Sequence, residues 1–161
     1  MANYTGANVI TTSDVLKYQP DAFDFGISTT ATETLNFLAQ TTNDILRQLR
    51  VEWWPVYKTN IFTDITVLNT AEMVNTKVNL DQFERAGVYL FLGRFYLPAL
   101  TKFRPETEKD RFERMAEYYM SQYNVEWRMI LEDGVEYDVD ADGSIVSNER
   151  EPLHGFRRLT R

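Results

Sequence analysis

Residues 112–130 read FERMAEYYMSQYNVEWRMI, and this stretch decides the fold. Phe112, Met115, Ala116, Tyr119, Tyr123, Trp127 and Ile130 recur at steps of three and four, the period of one helix face. Upstream, Pro105 is a favoured first-turn residue, and Glu106 and Glu108 suit the positive end of the helix dipole. Gly134 is placed to stop the helix at its C-terminal end.

Two further helices are expected around it. The first runs over about 30–53. Thr30 and Glu33 have capping-box spacing, and Ala31, Leu35, Leu38, Ile45, Leu46 and Leu49 repeat at helical steps. Pro55 is expected to stop it. Trp53 and Trp54 are adjacent, so one is expected in the core and the other at an interface. The second helix begins near Asn79, with Gln82 completing a cap, and presents Phe83, Ala86, Gly87, Leu90 and Phe91 on one face. Gly87 and Gly93 each cost about 1 kcal/mol of helix propensity against Ala, which a close helix approach would explain. Pro98 ends or kinks this helix. Residues 56–79 fit either a β pair or a loop with a short helix near 71–74. Residues 1–29, with Pro20 and Gly26 as breakers, read as an extended arm with one short helical turn near Ser13–Leu16. The fold class is therefore mainly α: a small bundle of about three main helices in a single domain. An N-terminal arm (1–29), helical body (30–133), acidic β-hairpin (134–149) and C-terminal tail (150–161) follow one another.

The composition bounds the function. The chain has 161 residues, a hydrophobic content of 43% and a charged content of 25%, values of an ordinary folded domain. Aromatic content of 14% supplies amphipathic area suited to protein contacts or, equally, to an aromatic-rich core. A net charge of −7 argues against groove reading of nucleic acid, although like charge would let DNA slide past. With no cysteine there is no disulfide, zinc thiolate or thiol nucleophile. No signal peptide is visible, and the most apolar stretch, 88–100, is short and carries Arg94, so no membrane span is expected.

Residues 138–149 carry a complete twelve-residue calcium-loop pattern. Asp138, Asp140 and Asp142 stand at positions 1, 3 and 5, Gly143 at the sharp turn, Ile145 at the apolar anchor and Glu149 at position 12. The surroundings argue otherwise. A helix is required on each side, yet Gly134 closes the upstream helix, Val135-Glu136-Tyr137 reads as a strand, and Pro152 and Gly155 break any exiting helix. The preferred reading is an acidic β-hairpin turning at Ala141-Asp142-Gly143 and returning through Ser144–Ser147. Calcium binding is the alternative, and no metal or cofactor is expected.

Catalysis has little support. His154 is the only histidine, no Gly-x-Ser-x-Gly elbow exists, and no phosphate-cradling glycine loop is present. The pairs Glu132/Asp133 and Glu149/Glu151 read as solvated charges. In the tail, Phe156, Arg157, Arg158, Leu159 and Arg161 mix apolar and guanidinium groups, which favours docking onto a protein over a disordered terminus or contact with DNA phosphates.

The order of segments resembles a known family. A Thr/Asp-rich arm precedes a helix ending in Trp53-Trp54-Pro55. Then come Phe62-Thr63-Asp64-Ile65, the helix from Phe83 to Leu90, the run Phe112–Tyr123, Asp133–Asp138, and a closing Arg158-Leu159-Thr160-Arg161. This layout, over about 10–161, resembles the tailed-bacteriophage head-to-tail connectors, also called adaptor or neck proteins. The resemblance implies a helical body with β excursions and a ring of copies, typically dodecameric, below the portal. It implies a non-enzymatic virion protein, located in the neck and in the host cytoplasm during assembly. Residues 151–161 would contact the portal protein. The acidic stretch 132–142 would lie on an inter-subunit or tail-side surface, facing a tail-side neck or tail-completion protein. DNA would pass through the ring without sequence-specific binding. Other virion roles, such as a tail-completion or baseplate protein, fit the same layout. A complete calcium-loop pattern is not something the connector role requires.

Overall fold

The computed structural model describes residues 8–101, 110–145 and 149–151. Within these it is mainly helical. In chain order the α-helices are α1 (Thr12–Tyr18), α2 (Thr32–Gln48), α3 (Trp54–Ile61), α4 (Ile65–Thr70), α5 (Glu84–Leu90), α6 (Leu97–Leu100) and α7 (Arg111–Asp133). Strands β1 (Val135–Glu136) and β2 (Arg150–Glu151) follow. The contacts divide the chain into two compact units, 7–45 with 83–127, and 46–82 with 128–151 among the described residues.

In the first unit the described part of the N-terminal segment is packed, which corrects the extended-arm expectation for residues 8–29. Ile10, Val15 and Ala22 are almost fully enclosed. The segment holds because its polar groups find partners: the Val9 amide donates to the Thr42 hydroxyl at 2.9 Å. Thr11 and Asp14 form a reciprocal capping box at the start of α1. At the start of α2, Thr30 instead shares its hydroxyl with Ser28, whose carbonyl accepts from Thr34.

The two helical glycines are explained by close approach. A Cβ on Gly87 would stand 2.8 Å from Cγ2 of Ile10 and 3.1 Å from Cγ1 of Val9. The tight neighbour is thus the N-terminal segment, while Cδ1 of Ile45 on α2 stands at an ordinary 3.7 Å. A Cβ on Gly93 would stand 2.9 Å from the backbone nitrogen of Met120 on α7, which is the expected helix-to-helix contact. Ala116, Tyr119, Tyr123 and Trp127 of α7 are buried, as their spacing predicts. Leu35, placed on the core face of α2 by its spacing, is half exposed, while Thr34, Thr41 and Thr42 are buried. The hydroxyls of Thr41 and Thr42 bond the carbonyls of Phe37 and Leu38 one turn back, which satisfies them inside the fold.

Both prolines expected to interrupt helices follow a π-helical turn. Leu49–Trp53 and Phe91–Tyr96 are π-helical, and Pro55 and Pro98 lie in the first turn of the α-helix that resumes. A first-turn position tolerates a missing N–H, so Pro55 does not stop the helix, which continues to Ile61. Residues 56–79 accordingly form no β pair. They complete α3, form α4 with Asp64 as its side-chain cap, and reach a 3-10 turn at Asn75–Lys77.

The second unit is built around an aromatic group. Trp53 and Trp54 are both buried, against the expectation that one would face an interface. Tyr57 stacks on Trp53 at 4.3 Å between centroids, and Tyr137 approaches Trp53 and Trp54 at 5.6 and 5.3 Å. The ring of Tyr137 thus covers both indoles. Trp54 also donates its indole N–H to the Ala71 carbonyl at 3.2 Å.

Candidate functional site

The acidic segment 138–149 lies in this second unit. Helix α7 ends where Gly134 takes φ +98°, and the Gly134 amide donates to the Ile130 carbonyl at 3.0 Å. The left-handed conformation suits glycine, so the chain turns there at little cost. Strand β1 then pairs antiparallel with β2, Val135 opposite Glu151 and Glu136 opposite Arg150. This corrects the bounds expected for the hairpin: the strand that pairs with β1 is Arg150–Glu151. Of the expected return strand, Ser144 and Ile145 are not in a strand, and 146–147 lie outside the described residues.

The opposite edge of β1 is also held. Val78 bridges Tyr137, the Asn79 amide donates to the Glu136 carbonyl at 3.1 Å, and the Asp138 amide donates to the Lys77 carbonyl at 2.9 Å. Side chains reinforce this frame. Asn79 donates to a Glu136 carboxylate oxygen at 2.6 Å, and Arg150 approaches the other at 3.5 Å. The Lys77 ammonium donates to the Val139 carbonyl. Asn79 also caps the following 3-10 turn, accepting from the Asp81 amide, while the Gln82 side chain donates to the Asn79 carbonyl. The predicted cap at Asn79 and Gln82 is therefore present in altered form, because the Asn79 amide is already engaged with β1.

Inside the loop the carboxylates are organised by backbone amides. Gly143 donates to Oδ2 of Asp138 at 3.0 Å, Asp142 to Asp140 at 3.2 Å, and Ser144 to Asp142 at 2.7 Å. The Val139 amide donates to Oε1 of Glu149 at 2.8 Å, and the Tyr137 amide to the Glu149 carbonyl at 3.2 Å. One carboxylate oxygen from each of Asp138, Asp140 and Glu149 lies within 4.8 Å of the others. Asp138 and Glu149 are buried, and Asp140 is exposed. Asp142 is exposed and stands outside this group of three. Ile145 is half-buried. Burial pushes the neighbouring Tyr137 phenol above its ordinary pKa, against the opposing effect of the hydrogen bond from Val74.

The structure thus brings together three of the four loop carboxylates that the sequence singled out, Asp138, Asp140 and Glu149, across eleven positions of chain. Sequence reasoning missed Lys77, and it read Asn79 as a helix cap alone, without its bond to Glu136. His154 and the docking residues Phe156, Arg157, Arg158, Leu159 and Arg161 lie outside the described residues, as do Pro105, Glu106 and Glu108. Among the described residues no helix is long and apolar enough to cross a membrane. No family model, curated protein or solved structure matches the chain.

Proposed function

We propose that this chain is a structural virion protein of the tailed-bacteriophage neck. Copies assemble as a ring, dodecameric by the resemblance, that docks on the portal protein, meets a tail-side neck or tail-completion protein and lets DNA pass. The supporting observation is the position of β2. Arg150 and Glu151 are fastened to the body by the strand pair, and the segment carrying Phe156, Arg157, Arg158, Leu159 and Arg161 follows directly in sequence. A docking segment needs such an anchor at its root, because each fixed residue shortens the chain that must be ordered on binding. Exposed apolar side chains, among them Val51 at 69% and Ile65 at 72%, offer contact area to neighbouring copies or partners.

The test is removal of residues 152–161, leaving Glu151 to keep its pairing with Val135. The truncated protein is expected to retain its helical circular dichroism and its melting temperature, and to lose portal attachment in a pull-down. Normal attachment would refute the tail assignment. For the full chain mixed with the portal of the same phage, negative-stain images should show coaxially stacked rings. Portals that remain bare would refute the neck reading itself.

A further inference from the structure

We infer that the loop 138–149 is a calcium site set between two strands. The inference stands apart from the neck reading and survives or fails without it. Three observations carry it. The sequence matches a calcium loop at positions 1, 3, 5, 6, 8 and 12. The strand pair at the base then does what flanking helices do elsewhere, returning position 12 to position 1. The third observation concerns charge. Asp138 is 0% and Glu149 4% exposed, although each offers an oxygen within 4.8 Å of the other and of Asp140. Asp138 is held by Gly143 through Oδ2, while its Oδ1 is enclosed and receives no hydrogen bond.

Carboxylates drawn together out of water repel one another and lose hydration. An acidic rim with no further task would leave them exposed. A divalent cation offsets both costs, because its charge opposes the mutual repulsion and its coordination replaces the lost hydration. Oxygen-only ligands on a loop with several backbone amides turned inward suit calcium, which tolerates six to eight ligands in flexible geometry, over magnesium, which demands near-ideal octahedra. In the scheme of such loops the Ser144 carbonyl takes position 7 and Glu149 closes the site. Calcium would thereby tie Glu149, and the adjoining β2, to the start of the loop.

The test uses the full chain, freed of metal with a chelator and titrated with calcium chloride by calorimetry, with magnesium chloride in parallel. Saturable one-site binding below about 1 mM is expected, with weaker response to magnesium and a rise in melting temperature. Glu149→Gln and Asp138→Asn should each weaken binding tenfold or more, and Asp133→Asn, outside the loop, should not. Absence of heat and of any melting shift at millimolar calcium would overturn the inference. So would heat that never saturates or that falls equally in Asp133→Asn, since both mark diffuse attraction to an acidic surface. Should the loop variants fail to fold, terbium luminescence of the wild-type chain decides. Tyr137 adjoins the site and should sensitise a bound terbium ion that calcium displaces. A signal that calcium leaves unchanged would equally overturn the site.

Discussion

The Tyr137 phenol accepts a hydrogen bond from the Val74 backbone amide at 3.1 Å, across 63 positions of chain. The same ring packs against Trp53, Trp54 and Tyr57. One side chain thus ties the root of the acidic loop to the aromatic group and to the connection that follows α4. Phe at this position keeps the ring and removes only the acceptor. Tyr137→Phe is therefore expected to lower the unfolding free energy by about 1–2 kcal/mol, the cost of a lost hydrogen bond plus a partly buried amide left unsatisfied. Urea denaturation at neutral pH measures this. A variant as stable as the parent would show that the residue acts through ring packing alone.

Gly87 and Gly93 allow a sharper comparison, because both would gain helix propensity as alanine, about 1 kcal/mol each. Packing opposes that gain. At Gly87 the new methyl meets side-chain atoms of Ile10 and Val9, and Ile10 is 1% exposed and stiff at its β-branch. At Gly93 it meets the backbone nitrogen of Met120 as well as its side chain. Backbone yields less than a side chain. Both alanine variants should be destabilised, since overpacking costs about 1–3 kcal/mol, and Gly93→Ala by more than Gly87→Ala. Thermal melts of the two variants check the order. The reverse order would mean that α7 shifts more readily than the segment around Ile10.

How much of this was legible beforehand depends on which interaction decides each element. The core face of α7 was readable from periodicity, since Ala116, Tyr119, Tyr123, Trp127 and Ile130 are all buried. The calcium-loop residues were readable as a pattern, but their setting was not. The strands at its base are two residues long, and Val135 finds Glu151 through pairing that local propensity does not encode. Pro55 misled because a proline is read as a stop, while a preceding π turn moves it into a tolerated first-turn position. Ile10 and Val15 were read as arm residues because the polar residues around them dominate the local composition. Ile10 packs against a distant Gly87, and the adjoining Val9 amide is held by Thr42, partners that no local window contains.

The capping box of α1 gives a pH-dependent contribution whose sign follows from its contacts. Thr11 donates to Oδ2 of Asp14 through its amide at 2.8 Å and its hydroxyl at 2.7 Å, and the Lys17 ammonium lies 2.6 Å from Oδ1. Partial burial alone would raise the Asp14 pKa, but the hydrogen bonds from Lys17 and Thr11 outweigh it and hold the carboxyl below its ordinary value. A carboxyl with a lower pKa folded than unfolded stabilises the fold above its unfolded value, about 3.9, and loses that contribution as pH falls through the folded value. Thr11→Ala should cost about 1 kcal/mol at neutral pH, as loss of a helix cap does. Asp14→Asn removes the charge while keeping an acceptor, so its deficit against the parent should be full at pH 7 and 5 and should shrink below about pH 4. Denaturant melts of both chains at pH 7, 5 and 3.5 measure the difference. A deficit that stays constant over that range would show that Asp14 acts by shape and hydrogen bonding and that its ionisation contributes nothing.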